Sequence, residues 1–306
     1  MSTRHLVLAL VFAATTACGS DGGKLPDAAG RIDAPVPDAA TSAADAATSA
    51  ADAATSAADA APDAAPSLST TATFPGGLGA LCGVGYAAST DTVWVYPCSG
   101  AMLHPFSGAG VAGTPIARPG EVANDVDVEV AGAAFTLGTT TLAAGDVVFV
   151  NGETDSAELY AAQGGSAVAL ATAFGASHVV GAALHPIRGT VFAVQDRVPG
   201  DTVGNVIAEL DATTGAVLAS FSVLPAFSVN YGDLEVCRSN GYLFVVSSDE
   251  PTLAVFTPTG TLVDEYALPT EVASGASGIG LDDAAGAAWI ASTNGNLVRI
   301  AGLPCQ

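Results

Sequence analysis

The sequence predicts an all-β chain folded as a β-propeller of about five four-stranded blades. One observation is a recurring pattern: a strand of small residues, a tight turn and a β-rich apolar strand follow one another five times. The apolar strands lie at 93–96 (VWVY), 147–150 (VVFV), 191–194 (VFAV), 243–246 (LFVV) and 288–291 (AWIA). With Val95, Val148, Phe192, Phe244 and Trp289 as marks, the spacings are 53, 44, 52 and 45 residues. Strand-built repeats of about 40 to 55 residues are propeller blades. The second observation is length, since residues 70–306 allow about 47 residues per blade in one compact domain.

Each blade can be read in order. Blade one opens at Leu81 and runs through VWVY towards Pro119. Blade two starts near Asn124 with NDVDVEV, whose alternation of acid and valine makes a strand with one polar face. Its inner hairpin is long and ends in VVFV, with a third strand near 158–161 (ELYA). Blade three spans 179–223, with DATTG as the turn between its outer strands. Blade four repeats this as GDLEVCRSNG, YLFVVSSDE and LAVFTPTGTLVDEYAL. Blade five, SGIGLDDAAG, AAWIAST and NLVRIAG, lacks a fourth strand. The β-branched segment from Thr70 to Phe74 (TTATF) is expected to supply it, closing the ring and removing two exposed edges; the alternative is that it is the end of the linker.

Ahead of the propeller the composition changes. Residues 1–17 have the form of a signal peptide: Arg4 and His5, nine apolar residues at 6–14, then small residues before Cys18. The apolar run is shorter than the roughly 18 residues a membrane span needs. Small residues before a cysteine followed by Gly19-Ser20 resemble a bacterial lipobox, although Thr15 stands where a leucine-like residue is usual. The resemblance implies lipid on Cys18 and anchoring to the membrane, and Gly19 implies the outer membrane. An ordinary cleaved signal with a stray cysteine is the alternative. Residues 18–69 read as a disordered tether rich in Ala, Asp, Ser, Thr and Pro, with TSAADAA three times in tandem at 41–61. Its side chains are too small to build a core.

The chain carries a formal net charge of −22. From Asp91 onward, 22 acids face five arginines and no lysine, so the propeller is near −17. Such a surface repels phosphates and excludes nucleic acid as a partner. Beyond Cys18 four cysteines remain, an even number that predicts two disulfides in an exported protein. Cys82 and Cys98 are each eight residues from Thr90, the centre of a hairpin turn, and so face each other across the ladder. That leaves Cys237 with Cys305.

Blade five, SGIGLDDAAGAAWIAS, and blade four, DLEVCRSNGYLFVVSSDEPTLAVFTPTGTLVDEYAL, resemble the repeat of SdiA-regulated and phytase-esterase-like propellers, in the company of NHL and gluconolactonase-like propellers. The resemblance covers 230–300 well, 179–223 moderately and the first two blades weakly. It implies a propeller fold, with a hydrolase or calcium-binding activity resting on a glutamate at the head of each inner strand. The matching positions here are Cys82, Val180 and Ser277, and only Glu235 keeps an acid, so the activity does not carry across intact.

A ligand is expected where the inner strands begin. The candidates there are Asn124, Asp125 and Asp127, then His178, then Asn230, Tyr231, Asp233 and Glu235, and Ser274 and Ser277. Asp125, Asp127, Asp233 and Glu235, paired by the strand period of two, would suit Ca²⁺ if they met; otherwise they are solvated acids at the channel mouth. His104 and His185 read as structural, as do Trp94 and Trp289 in second strands. Asp249, Glu250, Asp282 and Asp283 read as turn acids. Three functions follow. The first is a lipid-anchored, monomeric, non-catalytic module binding a protein, peptide or glycan in the cell envelope. The second is a Ca²⁺-dependent hydrolase of the phytase-esterase or gluconolactonase kind. The third is a purely structural envelope component.

Overall fold

The computed structural model describes residues 67–75, 77–119, 127–152, 157–162, 168–175, 178–197 and 204–305. The signal peptide, Cys18, most of the tether, and Asn124 and Asp125 lie outside the described residues.

Twenty-two strands follow one another in the described chain. β1 (Ser69–Pro75) precedes blade one, which is β2 (Leu81–Ala87), β3 (Thr92–Pro97), β4 (Met102–Ser107) and β5 (Ile116–Ala117). Blade two opens with β6 (Asp127–Val130). A small hairpin, β7 (Phe135–Leu137) and β8 (Thr140–Leu142), intervenes before β9 (Val147–Asn151), β10 (Ala157–Ala161) and β11 (Val168–Thr172) complete the sheet. That hairpin is the long connection the sequence shows ahead of VVFV.

Blade three is β12 (Val179–His185), β13 (Thr190–Gln195), β14 (Val206–Asp211) and β15 (Val217–Ser222). Blade four is β16 (Asp233–Val236), β17 (Leu243–Val246), β18 (Thr252–Phe256) and β19 (Leu262–Ala267). Blade five adds β20 (Ala276–Asp282), β21 (Ala287–Ser292) and β22 (Asn296–Ala301). β1 pairs antiparallel with β22 and becomes the fourth strand of this last sheet. The ring is therefore closed by the N-terminal strand at Thr70–Phe74, as its β-branched sequence predicts, and blade five keeps no unfilled edge.

A hydrophobic cluster fills each of the five interfaces between neighbouring blades. Their cores are the repeated apolar strands. Phe149, Phe192, Phe244 and Trp289 are buried to within a few per cent, and burial of each such side chain contributes roughly 1.5–3 kcal/mol. At the closing seam, Phe74 stacks on Trp289 with ring centroids 5.2 Å apart. The register corrects one of the five marks. Trp94 pairs with Gly85 as Trp289 pairs with Gly280 and Phe192 with Ala183. Trp94, not Val95, is thus the repeat's equivalent, and the two tryptophans occupy one position in neighbouring blades.

Both disulfides join the expected partners. Cys82–Cys98 links residues 16 apart and Cys237–Cys305 residues 68 apart. The first is not the simple opposed pair of a regular hairpin. The ladder of β2 and β3 shifts between Leu81 and Gly83, so Cys82 sits on a bulge. The same shift falls at Val180 in blade three and Ser277 in blade five. A bulge re-aims its side chain, and these three turn towards one cavity.

Candidate functional site: the central channel and its mouth

The ladder pairings align the inner strands residue by residue. Gly83-Val84-Gly85, Asp127-Val128-Glu129, Gly181-Ala182-Ala183, Asp233-Leu234-Glu235 and Gly278-Ile279-Gly280 are equivalent triplets. Blades two and four thus offer two acids each, and blades one, three and five offer glycine or alanine. The small residues are required by close approach. A Cβ on Gly278 would stand 2.8 Å from Val84 N, and one on Gly83 would stand 2.7 Å from Val128 N. At Gly181 a Cβ would overlap Asp233 Oδ1. At these two levels the five inner strands are so tightly gathered that carboxyl side chains fit on only two of them.

Those side chains fill the channel in two layers. Asp127 and Asp233 are hydrogen-bonded to each other, and so are Glu129 and Glu235. All four are buried, between 1% and 8% exposed. Burial pushes Asp127 up to about 7 and Glu235 up to about 8. Burial, with the neighbouring carboxyl adding to it, holds Asp233 and Glu129 well above the usual carboxylate range. Two like charges this close cannot both be ionised in a dry site, so a proton is retained between them.

Backbone amides complete the shell. Ile279 N–H donates to Asp233 Oδ2 at 2.8 Å, and Leu184 N–H donates to Glu129 Oε1 at 3.3 Å. Asp127 Oδ1 has no partner.

The arrangement differs from the calcium expectation in its membership. Asp125 lies outside the described residues, and the partner of Glu235 is Glu129, which the sequence reading passed over. The signal for Glu129 was present: DVEV at 127–130 and DLEV at 233–236 are the same phrase in two blades. A second correction concerns Glu235. The inner-strand equivalent of Cys82, Val180 and Ser277 is Gly232, and Glu235 lies three residues deeper, level with Gly85 and Gly280. Among the described residues, one group of three potential ligands brings its atoms within 4.8 Å, namely Cys237, Asp283 and Cys305. Its two sulfurs are bonded to each other.

The carboxyl layers divide the channel into two wells. The lower well has Glu129 and Glu235 in its lining. Its walls are the five equivalent residues Tyr86, Val130, Leu184, Val236 and Leu281, and Arg238 spans its rim from Asp283 to Gly132 O. The upper well, with room for about one water, is lined by Cys82, Val180, Tyr231, Gly232 and Ser277. Ser277 Oγ donates to Leu81 O at 2.6 Å, so its hydroxyl is already engaged.

At the upper rim, His178 Nδ1 lies 3.1 Å from Asp196 Oδ1, and Asp196 Oδ2 accepts Tyr231 N–H at 3.3 Å. Asp196 is buried, and burial raises its pKa above the ordinary value. Its role was not legible in the sequence, because it joins blades three and four only through the fold. Tyr231 is 56% exposed and takes φ 45°, a left-handed conformation unfavourable for a bulky residue. Asn230 is tied down by Asp249 Oδ1 at 2.9 Å, and Ser274 lends its carbonyl to Ser292. The structure thus brings His178, Tyr231 and Ser277 to one end of the channel and places Asp127, Asp233 and Glu235 inside it.

The residues read as structural are so placed. His185 ends β12 and its carbonyl accepts Gly189 N–H. His104 lies within β4 opposite Val95. Asp249, Asp282 and Asp283 pair with Arg197, Arg299 and Arg238.

The fold and channel define a five-bladed β-propeller. No protein-family model matches the chain, and no curated protein matches it in sequence. Among solved structures, the glutaminyl cyclase of Myxococcus xanthus superimposes with a TM-score of 0.52 at 12% identity, covering 76% of this chain and 95% of that one. The WD40 β-propeller domain of Doa1 gives 0.47 at 11% identity over 73% and 79% of the two chains. A streptogramin B lyase gives 0.43 at 19% identity over 78% and 73%. These likenesses are of fold. The two disulfides indicate an extracellular or periplasmic setting. Among the described residues no helix is long and apolar enough to cross a membrane.

Proposed function

We propose that this protein is an exported binding module, tethered through lipid on Cys18 to the outer membrane, that holds a protein, peptide or glycan at the upper mouth of its propeller. One observation carries the reading: the channel's middle is filled by its own paired acids, and an exposed tyrosine, Tyr231, stands at its upper mouth. Propellers present such end faces as ready-made platforms. A non-glycine residue held in the left-handed region costs about 1–3 kcal/mol and persists where the surroundings enforce it. Here Asp196 enforces it, and the result is an aromatic ring raised beside the well.

The calcium-dependent hydrolase alternative is the weaker reading. Hard cations take six to eight oxygens, whereas these carboxyls are engaged in proton-sharing pairs and backbone hydrogen bonds. The test is a peptide and glycan array probed with the full-length oxidised chain and with Tyr231→Gly. Signals lost in the variant support the mouth as the binding surface. Signals unchanged in the variant, or no signal for either, overturn it.

A further inference from the structure

We infer that Cys237, Cys305 and Asp283 form a Zn²⁺ site when the Cys237–Cys305 disulfide is reduced, so that this part of the lower rim is held together either by a covalent bond or by a metal ion. The site is separate from the upper mouth and independent of what binds there.

Donor atoms from three segments of the chain meet at this point. Cys237 follows β16, Asp283 follows β20, and Cys305 lies in the tail beyond β22. The two sulfurs and one Asp283 carboxylate oxygen lie within 4.8 Å of one another. Asp283 Oδ1 is 3.2 Å from Cys305 Sγ, and Ser239 Oγ is 3.1 Å from Cys237 Sγ. A disulfide sulfur carries no hydrogen, so Asp283 Oδ1 faces Cys305 without receiving a bond from it. Such a contact between two acceptors is explained by a cation that both can hold.

Redox chemistry and softness select the metal. Reduction by a dithiol passes two electrons and two protons to the sulfurs, leaving two thiols while the reductant becomes a disulfide. Zn²⁺ then displaces the two thiol protons, because thiolate is the ligand. Two thiolates, a carboxylate and a fourth position for Ser239 Oγ or water make a tetrahedral set of the kind Zn²⁺ takes. Ca²⁺ and Mg²⁺ take oxygen ligands. The ion with these three anionic ligands carries a net charge of −1, and Arg238, paired with Asp283 Oδ2, brings it to zero.

The ligands are held in place by more than the disulfide. Leu303 is buried in the core between blades four and five, and Asn240 Nδ2 donates to Pro304 O at 2.8 Å. The tail is thereby fixed to the turn that follows Cys237, and the two Cα atoms lie 5.6 Å apart. An open depression of about 560 Å³ lined by Arg238, Ser239, Asp283 and Ala284 gives an ion its path to the site. The Cys82–Cys98 pair supplies the contrast, since among the described residues no group of three potential ligands includes it.

The test titrates Zn²⁺ and Co²⁺ into the full-length chain, both oxidised and after anaerobic reduction with dithiothreitol followed by removal of the reductant. The reduced chain is expected to hold one Zn²⁺ against a chromophoric chelator and to show thiolate-to-Co²⁺ charge-transfer absorption. Its unfolding midpoint is expected to rise with Zn²⁺. The oxidised chain is expected to do none of these. Cys305→Ser should abolish uptake, and Asp283→Asn should weaken it about tenfold or more. Joint Cys82→Ser and Cys98→Ser substitution should leave it unchanged. A reduced chain that takes up no zinc, folded or not, overturns the inference. So does uptake by the oxidised chain, uptake indifferent to Cys305→Ser or Asp283→Asn, or uptake that is lost with Cys82 and Cys98.

Discussion

Asp233 and Asp127 share a carboxyl–carboxyl hydrogen bond across a gap that exists because residue 181, on the blade between them, is glycine. One layer deeper, Glu129 and Glu235 repeat the arrangement over Ala183. The channel is therefore closed by protons as much as by packing, and its stability is tied to pH.

Folding takes up protons, because these acids have folded pKa values above the unfolded value of about 4. Their contribution is full below about pH 4, where both states are protonated. It is lost as pH rises through about 7 for Asp127 and about 8 for Glu235. The midpoint of thermal unfolding should thus fall from pH 5 to pH 9. Asp233→Asn and Glu129→Gln, which keep a donor and lose the titration, should flatten that fall. A midpoint that rises over this range would contradict the pairing.

Gly181→Ala should be strongly destabilising, by about 2–4 kcal/mol, since the new methyl overlaps Asp233 Oδ1. Denaturant unfolding measures this. A cost under half a kilocalorie would show that Asp233 lies elsewhere.

Removing the disulfides should cost unequal amounts. In the chain-entropy account, loops of 16 and 68 residues are worth about 3 and about 4 kcal/mol. Paired serine substitutions at Cys237 and Cys305 should therefore lower the unfolding midpoint more than those at Cys82 and Cys98, read by calorimetry.

Phe74→Ala removes the ring that stacks on Trp289 at the closing seam. A loss of about 1–3 kcal/mol is expected, since Phe74 is only partly buried. Deleting residues up to 76 should go further. It exposes the edge of β22, and light scattering should report aggregation.

Tyr231→Gly should stabilise the fold by about 1 kcal/mol by releasing an unfavourable backbone conformation. The same change is expected to abolish binding at the mouth. A gain in melting temperature coupled to loss of ligand would mark Tyr231 as retained for function.

Much of the architecture was legible in local patterns. The spaced apolar strands named the blades, TTATF named the closing strand, and the cysteine spacing about Thr90 named one disulfide and left the other. Other features were not legible from spacing alone. One mark fell on Val95 in place of Trp94, because a strand's period of two does not say which of two neighbouring large residues faces a given blade. Glu129 was passed over although DVEV and DLEV spell one phrase, because partners come from blades more than a hundred residues apart.

The sequence by itself determined the blade repeat, a candidate closing strand, the cysteine pairs and the charge. These are legible in local strand patterns, in residue spacing or in composition. Only the tertiary structure decided which acids share a proton, that Gly181 makes room for them, and that Asp196 holds Tyr231 beside the upper well. Those relations arise where five inner strands converge, and convergence is a property of the closed ring that no single blade encodes.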